Sequence, residues 1–202
     1  MIATYVFLFI LFVLITIFVM YILSTYVFPR KIEEIAKMIE AGQTKLAIKK
    51  LNDIIEKDER NSYAHYLLAE AYSRENNIQY AILEYRQVLK IGKFDDKVNE
   101  AAIRAKLAKI FLERNALDDA KKEYLILTKI DPDNFENYYQ LGVMFFNANN
   151  NDKAAAYLKK SISCNNKYGQ SYYYLGQIYY RMGNHQESKQ MFLESIKLEQ
   201  NS

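Results

Sequence analysis

The sequence predicts an all-α protein, one long apolar helix followed by a stack of helical hairpins. Three observations predict it. The 202 residues hold only two Pro and six Gly, too few breakers for an all-β chain with many tight turns. No charged side chain precedes Arg30. After Pro29 the residues repeat with a period of 34, the mark of a repeat array. Composition narrows the function classes. Eighteen Tyr, eleven Phe and a hydrophobic half exclude a disordered chain. The single Cys164 excludes an intramolecular disulfide and a four-Cys zinc site, and His65 and His185 lie too far apart to suggest a multi-His centre. A net charge of +3 is too mild to point to nucleic acid.

The first element is residues 1–28, an expected transmembrane anchor. The run Tyr5–Leu23 is almost wholly apolar, and about 20 helical residues cross a hydrocarbon layer of about 30 Å. Tyr5, Tyr21 and Tyr26 lie near its ends, where aromatic belts sit. A cleaved signal peptide fits less well, because the segment has no basic n-region, an over-long core and no small-residue cleavage pattern. Arg30, Lys31 and Lys37 follow the span and none precedes it. The positive-inside rule then puts residues 29–202 in the cytoplasm, with the bacterial periplasm as the alternative.

The array comes next. A shift of 34 places Leu175-Gly176 over Leu141-Gly142, and a second shift reaches Leu107-Ala108. The same frame aligns Tyr179, Phe145 and Phe111, then Ser188, Ala154 and Ala120. The units are 28–61, 62–95, 101–134, 135–168 and 169–202. Each reads as two amphipathic helices, in the last unit about Gln170–Met182 and Gln186–Leu198. Gly183-Asn184 marks the stop between them, and Asn149–Asn151, Asn115, Asn76-Asn77 and Gly42 fill the same slot. Gly176, Gly142, Ala108 and Ala69 let the paired helices approach, while the aligned aromatics fill the gap between units. Residues 96–100 are extra, and their good helix formers predict a longer first helix in the third unit. Asp118-Asp119 and Asp131–Asp133 fall at helix starts or turns, where the helix dipole accounts for them. No phosphate loop, serine elbow or metal spacing occurs, so no enzyme activity and no cofactor are expected.

This period, with Leu-Gly/Ala, Tyr/Phe, Ala and an aromatic at set offsets, resembles the tetratricopeptide repeat family over residues 28–202. The early Trp of that family is replaced by His65, Arg104, Tyr138 and Tyr172, and only Pro132 keeps its late Pro. The resemblance implies a right-handed superhelical solenoid whose concave wall is lined by first helices. It implies that Tyr63, Tyr66, Arg74, Lys106, Lys109, Tyr139, Gln140, Phe146, Tyr173, Tyr174, Gln177, Tyr180 and Arg181 face a groove. Tyr and Arg are typical anchors of such surfaces. The ninth places hold Ala36, Glu70, Lys109, Val143 and Gln177, so the carboxylate clamp of chaperone-binding relatives is not assembled. His65 reads as packing.

The function expected is a membrane-tethered, non-enzymatic scaffold that takes a protein or peptide in a Tyr-rich groove. One alternative is a structural subunit of a bacterial envelope machine, such as a spirochaete flagellar collar, a secretion apparatus or an outer-membrane assembly complex. A second is an organelle protein-import receptor. Met191, Phe192, Leu193, Ile196 and Leu198 cannot all point into one interface, which leaves a terminal face for another protein or another copy.

Overall fold

The computed structural model describes residues 2–22 and 28–200. Among these residues there are eleven α-helices and no strand. Tyr26, expected in an aromatic belt, lies outside the described residues, as do the side chains at the expected anchor boundary at 28. α1 (Ile2–Ile22) is apolar on every side. Its stretch Thr4–Ile22 has a mean hydropathy of 2.9 and none of it is buried.

The remaining helices alternate as first and second members of hairpins. They are α2 (Phe28–Glu40) and α3 (Thr44–Ile55), α4 (Ser62–Arg74) and α5 (Ile78–Ile91), α6 (Glu100–Glu113) and α7 (Leu117–Ile130). α8 (Phe135–Asn147) pairs with α9 (Asn151–Cys164), and α10 (Gly169–Arg181) with α11 (His185–Glu199). All five hairpins turn the same way. Gly42, Asn76, Asn115, Asn149 and Gly183 each occupy the fifteenth place of their repeat and each has φ between 56° and 80°. The next amide donates back to the eleventh-place carbonyl in every case: Met38, Tyr72, Phe111, Phe145 and Tyr179. This six-to-one bond closes a Schellman turn and satisfies carbonyls that the helix end would leave orphaned.

Two compact bodies result, Met1–Val98 and Asn99–Ser202. In the first, α2, α3 and α4 pack around Ile35, Ile39, Leu51, Leu67 and Leu68. In the second, Tyr124, Leu127 and Leu141 form one core and Phe146, Leu158, Leu175 and Ile178 another. The expected close approach is real. A Cβ on Gly142 would stand 2.6 Å from Leu158 Cγ, and one on Gly176 would stand 3.0 Å from the Phe192 ring.

One expectation fails. The extra residues do not lengthen α6, which starts at Glu100. Gly92 ends α5 in the left-handed conformation. The Asp95 carboxylate then accepts from the amides of Lys97 and Val98. That local bonding competes successfully with helix formation. The loop is tied back onto the first body, where Lys97 Nζ donates to Glu33 at 2.7 Å and lies 5.3 Å over the Tyr63 ring.

Candidate partner-binding wall

The fourth and twenty-third places of a repeat bond to each other across two of the hairpins, and their residues change from repeat to repeat. In α4–α5 they hold His65 and Glu84, bonded at 2.6 Å, with the second imidazole nitrogen 3.1 Å from the Glu59 carbonyl. Burial works against the charged imidazole. The bonds to Glu84 and to the Glu59 carbonyl outweigh it and hold His65 above its ordinary range. His65 is thus packed, as expected, but packed as half of an ion pair. In α6–α7 the same places hold Arg104 and Glu123, 2.8 Å apart, with Glu100 also 2.8 Å from the guanidinium. In α8–α9 they hold Tyr138 and Tyr157, and in α10–α11 Tyr172 and Met191. The first repeat has Lys31 and Lys50, two like charges, and both line an open cavity of about 870 Å³ between α2, α3 and the 92–98 loop.

The groove residues expected in the first body lie on α4. Tyr63 and Tyr66 are half-buried and stack at 6.4 Å, and Tyr66 leans on Tyr85, whose hydroxyl donates to Glu70. Burial pushes the Tyr63 hydroxyl up, against the pull of Lys97. Arg74 is not a free groove cation. Its Nη1 donates to the Ile39 carbonyl at 3.1 Å, near the end of α2, where a cation complements the helix dipole.

The remaining expected residues lie in the second body. On α6, Lys106 is half-buried and Lys109 exposed. On α8 and α10, Tyr139 and Tyr174 form the centre of an aromatic cluster, 5.9 Å apart and edge-on. Tyr139 also meets Tyr168 at 5.0 Å, and Tyr174 meets Phe146 at 5.3 Å and Tyr173 at 5.7 Å. Burial first, then its neighbours Tyr168 and Tyr174, raise the Tyr139 hydroxyl well above its usual range. Gln140 and Gln177 flank the cluster half-buried. Tyr173 and Tyr180 are 41% and 64% exposed.

Two assignments need correction. Phe146, expected in the groove, is only 6% exposed and belongs to the core. The Arg181 guanidinium covers it, 3.7 Å above the ring. Arg181 in turn donates to the Phe146 carbonyl at 3.2 Å and to Asn149 at 3.4 Å. The bond repeats that of Arg74, again reaching a carbonyl 35 residues upstream, and clasps α10 to the end of α8. Sequence reading also missed members of the site. Phe135 and Tyr168 stand 4.8 Å apart and extend the cluster; Phe135 opens α8 and Tyr168 precedes α10, and an aromatic at two successive first-helix starts was a usable signal.

Among the described residues, no group of three or more His, Cys, Asp or Glu side chains is placed to hold a metal. The surface instead offers aromatic contact area and polar tips. No curated protein matches the chain. Solved structures do. A MamA protein aligns with a TM-score of 0.69 at 19% identity, over 85% of this chain and 91% of that one. MamA from Desulfovibrio magneticus RS-1, residue 41 to its end, aligns at 0.67 and 16% identity, over 86% and 96%. YrrB, described as a TPR protein with an unusual peptide-binding site, aligns at 0.67 and 14% identity, over 83% and 84%. At these identities the likeness is one of fold. The sequence itself matches tetratricopeptide repeat models at residues 39–96, 105–168 and 169–202. With most of its length so matched and five hairpins closed by the same turn, the chain belongs to the tetratricopeptide repeat family.

Proposed function

We propose that the chain is a non-enzymatic adaptor, tethered to a membrane by α1, that holds a protein or peptide partner on the wall formed by α8 and α10. The observation that carries this reading is the half-buried Tyr139 and Tyr174 beside the exposed Tyr173 and Tyr180, flanked by Gln140 and Gln177. Tyr combines a large contact area with few rotatable bonds and a polar tip. Tethering is supported by the length and apolarity of α1. Its 21 residues rise about 31 Å, enough for the hydrocarbon layer. A tether confines the wall to the bilayer and raises its effective concentration for membrane partners. Lys31 and Lys37, with Arg30, support a cytoplasmic placement of the repeats.

Affinity capture of the full chain from detergent, read by mass spectrometry, tests the wall. A partner retained by the parent and lost by the Tyr139→Ala/Tyr173→Ala variant supports it, and identical partner sets remove it. Carbonate extraction of membranes tests the tether separately, since an anchored chain stays in the pellet. A second contact is proposed on α11, where Leu193 and Ile196 are 55% and 51% exposed. Leu193→Glu/Ile196→Glu would lower the apparent mass of any assembly formed through that face, as read by light scattering.

A further inference from the structure

We propose that the α8–α10 wall selects an uncharged, proline-rich segment in the extended polyproline II form. The inference rests on the reading of that wall as the binding surface. Charge is the first argument. Tyr139, Gln140, Tyr173, Tyr174, Gln177 and Tyr180 carry none; the charges beside them are Glu136, which acts on Tyr168 at the edge of the cluster, and Arg181, already committed to Phe146 and Asn149. A charged segment laid across those tyrosines would lose water and find no counter-charge among them. α6 is different, with Lys106, Lys109 and Glu113 on its corresponding places.

Ring geometry is the second argument. Tyr139 and Tyr168 meet at 85°, and Tyr173 and Tyr174 at 82°. Rings set nearly at right angles make a ridge beside a slot. A flat pyrrolidine ring packs on the face of one ring while the edge of the other closes its side.

Hydrogen-bond supply is the third. Among the described residues, the hydroxyls of Tyr173, Tyr174 and Tyr180 and the amides of Gln140 and Gln177 have no protein partner. A polyproline II backbone leaves every carbonyl free, and each proline removes an N–H. It therefore needs donors and few acceptors, which is what hydroxyls and amide NH2 groups supply. A docked α-helix satisfies most of its own carbonyls and would leave those donors unused.

The test titrates fluorescein-labelled decaproline, with a Gly-Ser repeat of the same length as control, against the full chain in detergent micelles by fluorescence anisotropy. Decaproline is expected to bind and the control to fail. Tyr139→Ala/Tyr174→Ala should weaken binding at least tenfold. Tyr173→Ala/Tyr180→Ala alters exposed rings, so it keeps the fold, verified by circular dichroism, and should also weaken binding. Lys122→Ala/Lys129→Ala, at exposed lysines of α7, should change nothing. Affinity should stay flat from about 50 to about 300 mM salt, because no ion pair is formed. If decaproline fails to bind while a captured partner still depends on Tyr139 and Tyr173, the ligand class is wrong and the wall stands. Binding that ignores both tyrosine pairs overturns the inference. If neither decaproline nor any captured partner depends on the tyrosines, the inference and the wall fall together.

Discussion

The α4–α5 and α10–α11 hairpins share a backbone plan and differ in what fills it. Both close through a left-handed fifteenth residue, and both carry an arginine that clasps the preceding first helix. Across the hairpin, however, α4–α5 sets a buried His65–Glu84 pair where α10–α11 sets Tyr172 and Met191. Small residues and turn chemistry therefore define the hairpin, and the slot between its helices is free to vary. An ionic slot ties the first helix to the second with directional bonds. Where those places hold no ion pair, the rings of α8 and α10 cluster with one another, and that cluster is the candidate wall.

The largest expected effect tests this contrast directly. His65→Ala leaves Glu84 without its partner in a site where both side chains are almost fully buried. That costs roughly 3–5 kcal/mol, whereas Tyr172→Ala, in a half-buried aromatic slot, costs about 1–3 kcal/mol. Hydrogen exchange of the full chain in detergent should show α4–α5 amides opening far more in the first variant than α10–α11 amides in the second. Equal effects would break the comparison.

Gly142→Ala comes next. The added methyl would collide with Leu158, itself fully buried. Overpacking of this kind costs about 1–3 kcal/mol, offset by about 1 kcal/mol of helix propensity. A lowered thermal midpoint is expected. Gly176→Ala meets Phe192 at 3.0 Å and should cost less.

The pH dependence separates the slots again. Because His65 is held above its ordinary range when folded, the folded state binds its proton more tightly than the unfolded chain. Its contribution is complete below the unfolded value near 6.5 and fades as pH rises through the folded value. Protection of α4–α5 should decline on raising the pH above about 6.5. His65→Tyr/Glu84→Tyr, which copies the Tyr138–Tyr157 slot, should flatten that dependence.

The smallest effect lies in the turns. Asn149→Gly relieves a left-handed non-glycine and should gain a few tenths of a kcal/mol, while Gly183→Ala should lose about 1 kcal/mol. Thermal melts of the two variants should shift in opposite directions.

Much of this was legible in the sequence, for identifiable reasons. The turns were, because Gly or Asn recurs at one place in every repeat and few other residues accept that backbone. The helices followed, with the last pair displaced by a single residue from Gln170–Met182 and Gln186–Leu198 to Gly169–Arg181 and His185–Glu199. The loop at 96–99 was not, because helix propensity favoured its residues and the deciding bonds came from one Asp95 carboxylate. Arg74 and Arg181 were misread as groove cations, since their acceptors are backbone carbonyls, which no side-chain pattern reveals. Phe146 shared the error: whether its ring is covered depends on Arg181, 35 residues away.

The arginine clasp has a mechanical consequence. It locks α4 to α2 and α10 to α8, but the thirteenth places of the repeats that hold α6 and α8 are Glu113 and Asn147, so the α6–α8 seam has no such lock. Under load, as when a tethered chain is pulled by what it holds, the second body should give at α6–α8 first and keep α8–α10 stiff. The rings that would grip a ligand then ride on the rigid segment, and the compliance sits beside them.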